Sequence, residues 1–170
     1  MAIDYDHLLN FDIPEVRQSY GAEEVARFGL TVGMGQDPMD MRQLPYVGAL
    51  ADDARAMRAI VNVLGHPGFW LGNPETGVDA LKLVHGEQGI TIHHPVPPEA
   101  TIVGKTRVTG LVDKGEGRGA LLYYEKEIRD ADSGLHLATC RGTTFLRGDG
   151  GFGGPDGPVK QAHTLPETEP

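Results

Sequence analysis

The chain has 170 residues and a formal net charge of −9, a length typical of one domain that buries a substantial apolar core without disulfides or metals. The acidic balance argues against nucleic acid and anionic membranes as partners, because both favour surfaces rich in Lys and Arg. A single cysteine, an N-terminus unlike a signal peptide and the lack of any apolar run of about 18 residues predict a reducing, cytoplasmic compartment without membrane association.

The N-terminal third is predicted to mix extended and helical segments. Residues 1–20 are expected to be extended, because Pro14 interrupts any helix there. A helix is predicted over residues 21–32, where apolar residues at helical spacing follow two glutamates that favour a helix N-terminus. Residues 44–47 are predicted to start a strand. Apolar residues at helical spacing predict a second helix over residues 49–60.

The C-terminal half alternates apolar and polar residues, which is typical of strands. Strands are predicted over residues 80–91, 102–112, 120–129 and 135–147, with glycine-rich turns between the later ones. A helix followed by long antiparallel strands predicts an α+β fold, with a curved antiparallel sheet around the helix. Residues 1–154 are expected to form the domain. Residues 155–170 are rich in Gly and Pro and are expected to be a linker or tail.

A series of short motifs occurs in a fixed order along residues 18–154. The motifs lie at residues 23–33, 68–71, Asp79, residues 83–88, 95–98, 113–115 and 147–154. Together they resemble the N-terminal half of the two-part (R)-specific enoyl-CoA hydratases, the MaoC-like or hydratase 2 family. One departure is the segment 50–62, which is predicted to be helical where that family usually has a short strand.

The resemblance implies a single hot-dog fold, in which the curved sheet wraps around a helix. The best candidate for that helix is residues 22–32, although the helix is short or displaced in N-terminal repeats of the family. The resemblance also implies that this half shapes the acyl pocket, while a C-terminal half carries an acid–base pair on an Asp-x4-His element. No Asp-x4-His spacing occurs in the sequence, so no catalytic residue is predicted. Asp132 and His136 are spaced Asp-x3-His across a turn and lack the flanking residues of that element.

The expected function is therefore the non-catalytic, substrate-shaping half of an (R)-specific 2-enoyl-CoA hydratase for fatty or steroid side-chain acyl-CoA. The expected partners are the acyl-CoA substrate and a catalytic MaoC-like half or subunit, in an oligomer. Coenzyme A is expected only as part of the substrate, with no other cofactor. Two alternatives stay open: a self-sufficient homodimeric hot-dog thioesterase or hydratase using Glu87 or Asp132, and a non-enzymatic acyl-CoA-binding or scaffolding domain.

Seven residues in two clusters are the candidate substrate-binding residues. They are Phe69, Trp70 and Leu71, in the densest aromatic segment, and His85, Gly86, Glu87 and Gln88. The first cluster fits the wall of an acyl pocket or the core equally well. The second also fits a structural strand, in which Gly86 allows close backbone approach and Glu87 and Gln88 form hydrogen bonds at a domain interface.

Other residues that suggest a metal, phosphate or nucleotide site support those sites less well. The spacing of His85, His93, His94 and Cys140 fits no zinc signature, so no metal site is predicted. Four basic residues fit either CoA phosphate binding or a solvated surface; they are Lys105, Arg107, Lys114 and Arg118. The glycine-rich residues 150–154 follow a strand without leading into a helix, which argues against a nucleotide-binding loop.

Overall fold

A sheet of five antiparallel strands forms the centre of the computed structural model, which describes residues 3–49, 52–161 and 167. The strands are β1 (Val16–Tyr20), β2 (Leu83–Ile92), β3 (Ala100–Asp113), β4 (Ala120–Asp130) and β5 (His136–Leu146), and the helices are α1 (Tyr5–Leu9), α2 (Ala22–Thr31) and α3 (Leu44–Val47). The strands lie in the order β1-β3-β4-β5-β2, so β1 and β2 are the edges of the sheet. The four strands predicted for the C-terminal half are confirmed, with small shifts at their ends.

One face of the sheet carries the hydrophobic core. This inner face is defined by Ile102, Leu122, Ile128 and Leu146, each with 1% or less of its surface exposed. The outer face carries ion pairs between neighbouring strands, including Arg107–Glu125 at 2.7 Å and Arg141–Glu125 at 2.8 Å. This division explains why apolar and polar residues alternate along the strands in the sequence. Every second side chain enters the core, and the side chains between them face solvent.

The predicted helix over residues 21–32 is confirmed as α2. The Glu24 carboxylate accepts the Gly21 N–H at 3.0 Å, which satisfies one of the free donors at the helix start. Val25 packs in the same buried cluster as Ile102 and Ile128. The α2 helix therefore covers part of the inner face, beside β1.

The segment from the 3-10 turn Arg58–Asn62 to Gly65 covers another part of the inner face. A Cβ atom at Gly104 on β3 would overlap the Gly65 carbonyl oxygen, so this segment contacts the sheet backbone directly. Ile60 and Val61 belong to the same buried cluster as α2. Two glycines meeting backbone to backbone allow this close approach, which side chains would prevent.

Two predictions for the N-terminal third are wrong. Residues 1–20 are not wholly extended, because α1 forms there; Asp4 caps it by accepting the His7 N–H at 2.9 Å, and Leu8 is fully buried. Residues 44–47 form the short helix α3 instead of a strand. Pro45 lies in its first turn, where the missing N–H of proline costs no helical hydrogen bond.

The prediction of a second helix over residues 49–60 is also wrong. Residues 50 and 51 lie outside the described residues; Asp52 and Asp53 form a turn, and residues 54–57 have no regular structure. The Arg55 N–H donates to the Pro45 carbonyl oxygen at 2.7 Å, a contact that an α-helix over these residues does not make. This contact, and the packing of Ile60 against Ile102 and Ile128 in the core, outweigh the helical spacing of the apolar residues here.

The glycine-rich loop near the end of the chain folds back onto the β3–β4 turn. The buried Asp113 carboxylate accepts N–H groups from Gly151 at 2.7 Å, Gly153 at 2.9 Å and Gly115 at 2.8 Å. Gly151 and Gly153 have φ angles of 80° and 83°, a left-handed region that favours glycine. Two of the motifs in the ordered series, residues 113–115 and 147–154, thus form one structural unit.

The segment after this loop crosses the outer face. Residues 155–161 have no regular secondary structure, and the Lys160 N–H donates to the Tyr123 hydroxyl oxygen at 3.3 Å. Of the predicted linker, residues 162–166 and 168–170 lie outside the described residues, and its role as a linker stays a prediction. In the described part of the chain, no helix is long and apolar enough to cross a membrane.

Candidate functional site

A cavity of about 270 Å³ lies on the inner face, between the sheet and the loop of residues 62–71. Five of the seven predicted binding residues line it: Phe69, Trp70, Leu71, His85 and Gln88. His85 and Gln88 are on the edge strand β2 and are exposed, so the cavity opens beside that edge. The structure thus brings together two clusters that are well separated in the sequence.

A β-bulge at Gly86 decides which side chains of β2 face the cavity. Strict alternation would put His85 and Glu87 on one face of the sheet, and Gly86 and Gln88 on the other. The register with β5 shifts between His85 and Glu87, so that His85 and Gln88 both reach the inner cavity. Glu87 turns to the outer face, where its carboxylate accepts the Thr143 hydroxyl at 3.0 Å.

The aromatic segment divides between the core and the cavity. Leu71 is 6% exposed and belongs to the hydrophobic core, whereas Phe69 is 64% exposed. Trp70 lines the cavity and also stacks on Phe11, with ring centroids 6.0 Å apart. Phe69 is therefore the member of this cluster that is placed to contact a ligand without supporting the fold.

Lys126, which was not predicted from the sequence, is the most unusual side chain of the cavity wall. Lys126 is 3% exposed, and its ammonium donates to the carbonyl oxygens of Asn62 at 3.0 Å and Leu64 at 2.6 Å. Burial lowers the pKa of Lys126 to about 8. The sequence did offer an indication of this residue. Lys126 alternates with Tyr124 and Ile128 on the core-facing side of β4, where a charged residue is unexpected.

Polar atoms around Lys126 give the cavity a polar end. Thr106 on β3 lies opposite Lys126 in the strand register. The Thr106 hydroxyl oxygen and the Asn62 Oδ1 are buried and have no hydrogen-bond partner among the described residues. Asn62, Thr106 and Lys126 are hereafter called the polar end.

Cys140 lies opposite Lys126 on the other side, in β5, and borders the same cavity. Its thiol donates to the Val61 carbonyl oxygen at 3.4 Å, and burial raises the pKa of the thiol. A thiol held in its protonated form is a poor nucleophile. Cys140 therefore acts as a packing residue, not as a catalytic group.

A larger cleft, of about 1030 Å³, lies on the opposite face of the sheet, under residues 155–161. It contains the other two predicted binding residues, Gly86 and Glu87, shares Gln88 with the inner cavity, and is also lined by Glu125 and Arg141. An apolar acyl chain placed there would remove charged groups from water, which is unfavourable. The inner cavity, although smaller, is the better candidate for binding an acyl chain.

The remaining acid and histidine candidates do not converge on the cavity. Asp132 is exposed and lies 3.9 Å from Arg17. The His136 ring lies against the His93 ring at a centroid distance of 4.2 Å, and its Nε2 is 3.0 Å from the Thr139 hydroxyl. In the described ranges, no three or more His, Cys, Asp and Glu side chains form a group that could hold a metal ion.

The four basic residues considered for CoA phosphates have varied surroundings. Lys105 lies 3.5 Å from Asp12, and Arg107 pairs with Glu125. Lys114 sits 5.6 Å from the centroid of the Phe145 ring, and Arg118 is exposed in the β3–β4 turn. Lys105 and Arg107 are thus engaged in surface ion pairs, which fits the interpretation as a solvated surface.

The buried ammonium of Lys126 should make stability rise with pH. Since its pKa falls from 10.5 in the unfolded chain to about 8 in the fold, the unfolded state binds more protons between these values, and the free energy of unfolding increases across that window. The contribution is on the order of 3 kcal/mol at about 1.4 kcal/mol per pKa unit. Chemical denaturation between pH 7.5 and 10 should show this rise in the wild type and not in Lys126→Met. Parallel curves for both proteins would contradict it.

Comparison with known proteins gives consistent matches. A family model for the MFE-2 hydratase 2 N-terminal domain matches residues 18–148. The chain is 36% identical over 152 residues to the peroxisomal enoyl-CoA hydratase 2 of Arabidopsis thaliana, covering 86% of this chain and 48% of that protein. It is 34% identical over 177 residues to the enoyl-CoA hydratase ChsH3 of Mycobacterium tuberculosis, covering 100% of this chain and 59% of that protein. The chain spans about half the length of these curated relatives.

Solved structures share the fold. A MaoC-like dehydratase from Phytophthora capsici superposes with a TM-score of 0.74 at 21% identity, over 97% of this chain and 56% of that one. A chain of the ChsH1–ChsH2 complex from Mycobacterium tuberculosis superposes with a TM-score of 0.54 at 14% identity, over 82% of this chain and 98% of that one. The predicted hot-dog fold is confirmed by the five-stranded curved sheet and these neighbours.

Proposed function

The chain belongs to the MFE-2 hydratase 2 N-terminal domain family, and on that basis we propose that it is the substrate-shaping, non-catalytic half of an (R)-specific 2-enoyl-CoA hydratase. Its substrates are fatty or steroid side-chain acyl-CoA thioesters. The observation that carries the proposal is the inner cavity, which opens beside an exposed edge strand and has no Asp or Glu among its described lining residues. It offers a place for an acyl chain and no carboxylate for the acid–base pair that hydration needs.

The walls of the cavity suit an acyl chain. Phe69, Trp70, Leu71 and Leu83 give it an apolar lining on the side of β2 and the loop. Burying a methylene against such a surface stabilises binding by about 0.8 kcal/mol. Binding should therefore strengthen with chain length until the cavity is filled, which is the behaviour expected of an acyl pocket.

The exposed edge strand β2 is the proposed contact with the catalytic half. Val84 is 45% exposed and Ile90 is 39% exposed, so apolar side chains lie along a strand with one unpaired backbone edge. Such an edge favours pairing with a strand of another chain or domain. A hot-dog partner that continued the sheet there would place its catalytic groups near His85 and Gln88, at the opening of the cavity. A fold neighbour, the ChsH1–ChsH2 complex, is an assembly of two proteins.

The self-sufficient enzyme is less well supported than the paired one. Glu87 faces the outer side of the sheet, away from the inner cavity, and Asp132 lies in an exposed turn beside Arg17. A non-enzymatic acyl-CoA-binding domain would share the cavity but would not require a catalytic partner. Assembly with a catalytic half is therefore the property that separates the proposal from that alternative.

A test of assembly follows from the β2 edge. Mixed with a MaoC-type catalytic half carrying the Asp-x4-His element, the chain should sediment as a one-to-one unit. Val84→Lys puts a charge on the edge strand, which should weaken the unit at least about tenfold, because charges on edge strands oppose pairing. Leu81→Lys is the matched control: Leu81 is 96% exposed and precedes β2. Equal effects of the two changes, or a chain that stays monomeric with every catalytic half, would contradict the proposal.

A further inference from the structure

The polar end of the inner cavity has no role in binding a plain hydrocarbon chain. Lys126, Thr106 and Asn62 border the same cavity as the apolar residues near β2. In the strand order, β3 and β4 are separated from the edge strand β2 by β5. The polar end therefore lies deep in the cavity, away from the opening where a thioester would meet a catalytic partner.

The hydrogen-bonding capacity of the polar end is only partly used. An ammonium group has three N–H donors, and Lys126 uses two of them on the carbonyl oxygens of Asn62 and Leu64. In the described part of the chain, no acidic side chain forms an ion pair with Lys126. The Thr106 hydroxyl, on a residue 3% exposed, and the Asn62 Oδ1 also lack partners there.

Unpaired buried polar atoms and an unpaired buried charge are each unfavourable, and proteins rarely retain them without a partner. A group that accepts a hydrogen bond would satisfy both the third N–H of Lys126 and the Thr106 hydroxyl. An oxygen with negative or partial negative charge would also offset the ammonium charge, which water screens less than a surface charge because Lys126 is only 3% exposed.

We infer that the deep end of the cavity binds an oxygen atom at the far end of the acyl chain, either a carboxylate or a ketone oxygen, held by Lys126 and Thr106. The inference rests on the proposed function, because it assumes that the acyl chain occupies this cavity. It narrows the substrate class from acyl-CoA in general to acyl-CoA with an oxygenated distal end.

The two orientations of Asn62 allow both kinds of oxygen. Turning its side-chain amide by half a turn exchanges Oδ1 and Nδ2, two atoms whose assignment depends on the surrounding hydrogen bonds. With the NH₂ group facing the cavity, Asn62 donates a further hydrogen bond to a carboxylate. With Oδ1 facing the cavity, it leaves Lys126 and Thr106 to bind a ketone.

Calorimetric titration of three CoA thioesters of equal chain length tests the inference. The ligands are dodecanoyl-CoA, dodecanedioyl-CoA with a terminal carboxylate, and the methyl-ketone analogue of the same length. Each is titrated into the full chain, alone and assembled with a catalytic half. The measured quantity is selectivity, the ratio of the dissociation constant of dodecanoyl-CoA to that of each oxygenated ligand.

Lys126→Met should lower the selectivity by about tenfold to hundredfold, the range for a hydrogen bond to a charged donor. Thr106→Val should lower it by about three- to tenfold. The Thr106 change removes a hydroxyl that has no partner among the described residues, so it should not harm folding even if Lys126→Met does. If the variants lose more selectivity for dodecanedioyl-CoA than for the methyl-ketone thioester, the natural group is a carboxylate. If they lose similar selectivity for both thioesters, the natural group is a carbonyl oxygen.

Thr143→Val is the matched control, because Thr143 is on the outer face of β5 and bonds to Glu87 instead. If dodecanoyl-CoA binds but the selectivity is unchanged in both Lys126→Met and Thr106→Val, the polar end holds ordered water only and the inference is overturned. If none of the three thioesters binds to the chain or to the assembly, the acyl pocket itself is wrong, and it is the proposed function that fails.

Discussion

The chain by itself should hydrate no trans-2-enoyl-CoA above background, whereas its assembly with a catalytic half should hydrate long-chain substrates. The reason is the lack of an Asp-x4-His element in the sequence and of an acid–base pair around the described cavity. Each missing general acid or base typically costs about 10²–10⁴ in rate. The assembly should therefore exceed the chain alone by about 10⁴-fold or more, as measured by loss of absorbance of the enoyl thioester.

Crotonyl-CoA and a long enoyl-CoA should both be assayed, with the catalytic half alone as the reference. The cavity predicts that adding the chain lowers KM mainly for the long substrate, since only that substrate has methylenes to bury. Turnover by the pure chain that disappears in Glu87→Ala would contradict the proposal and favour the homodimeric enzyme. Tight acyl-CoA binding without activity in any assembly would favour the non-enzymatic binding domain.

Asp113→Asn should lower the free energy of unfolding by about 1–3 kcal/mol, the usual cost of leaving a buried N–H donor without its acceptor. Asn keeps one acceptor oxygen but turns an NH₂ group toward N–H donors, so at least one of the bonds from Gly115, Gly151 or Gly153 is lost. Asp132→Asn is the control, because Asp132 is exposed and should change stability by less than about 0.5 kcal/mol. Urea denaturation of the three proteins provides the measurement.

The cost of Asp113→Asn should also depend on pH. Burial opposes ionisation of Asp113, but the N–H groups of Gly151, Gly115, Gly153 and Gly154 outweigh it and hold the pKa of the carboxyl below its ordinary value of 3.8. The stabilisation is thus complete above pH 3.8 and is lost as the pH falls through the lowered pKa of the folded state. The difference between wild type and variant should shrink in acid. A difference that is equally large at pH 7 and pH 2.5 would show that the change acts by misplacing the loop, not through the charge.

Local sequence patterns were sufficient to predict most strands of the sheet. The strands β3, β4 and β5 were predictable because each has one face in the core and the other in solvent, and this division appears as alternation in the sequence. The α2 helix was predictable from its spacing and its glutamates. The segment 49–60 has helical spacing too, but Ile60 and Val61 are buried by contacts with β3, β4 and β5, and a 3-10 turn results.

The candidate site was predictable only in part. Phe69, Trp70 and Leu71 drew attention as an aromatic cluster, and the structure places all three at the cavity. The tetrad His85-Gly86-Glu87-Gln88 was treated as one unit, whereas the bulge at Gly86 sends Glu87 to the opposite face from His85 and Gln88. Whether these residues bind substrate stays a prediction that the selectivity and activity measurements address.

Short-range periodicity and motifs in a fixed order were enough to predict the fold class, the four C-terminal strands, the family and the lack of the catalytic spacing. Only the tertiary structure revealed the cavity, the burial of Lys126 and the close contact of Gly65 with Gly104. Each of these joins residues from strands or loops far apart in the chain. A bulge of one residue or a loop laid on a sheet changes which side chains meet, and no local pattern records such contacts.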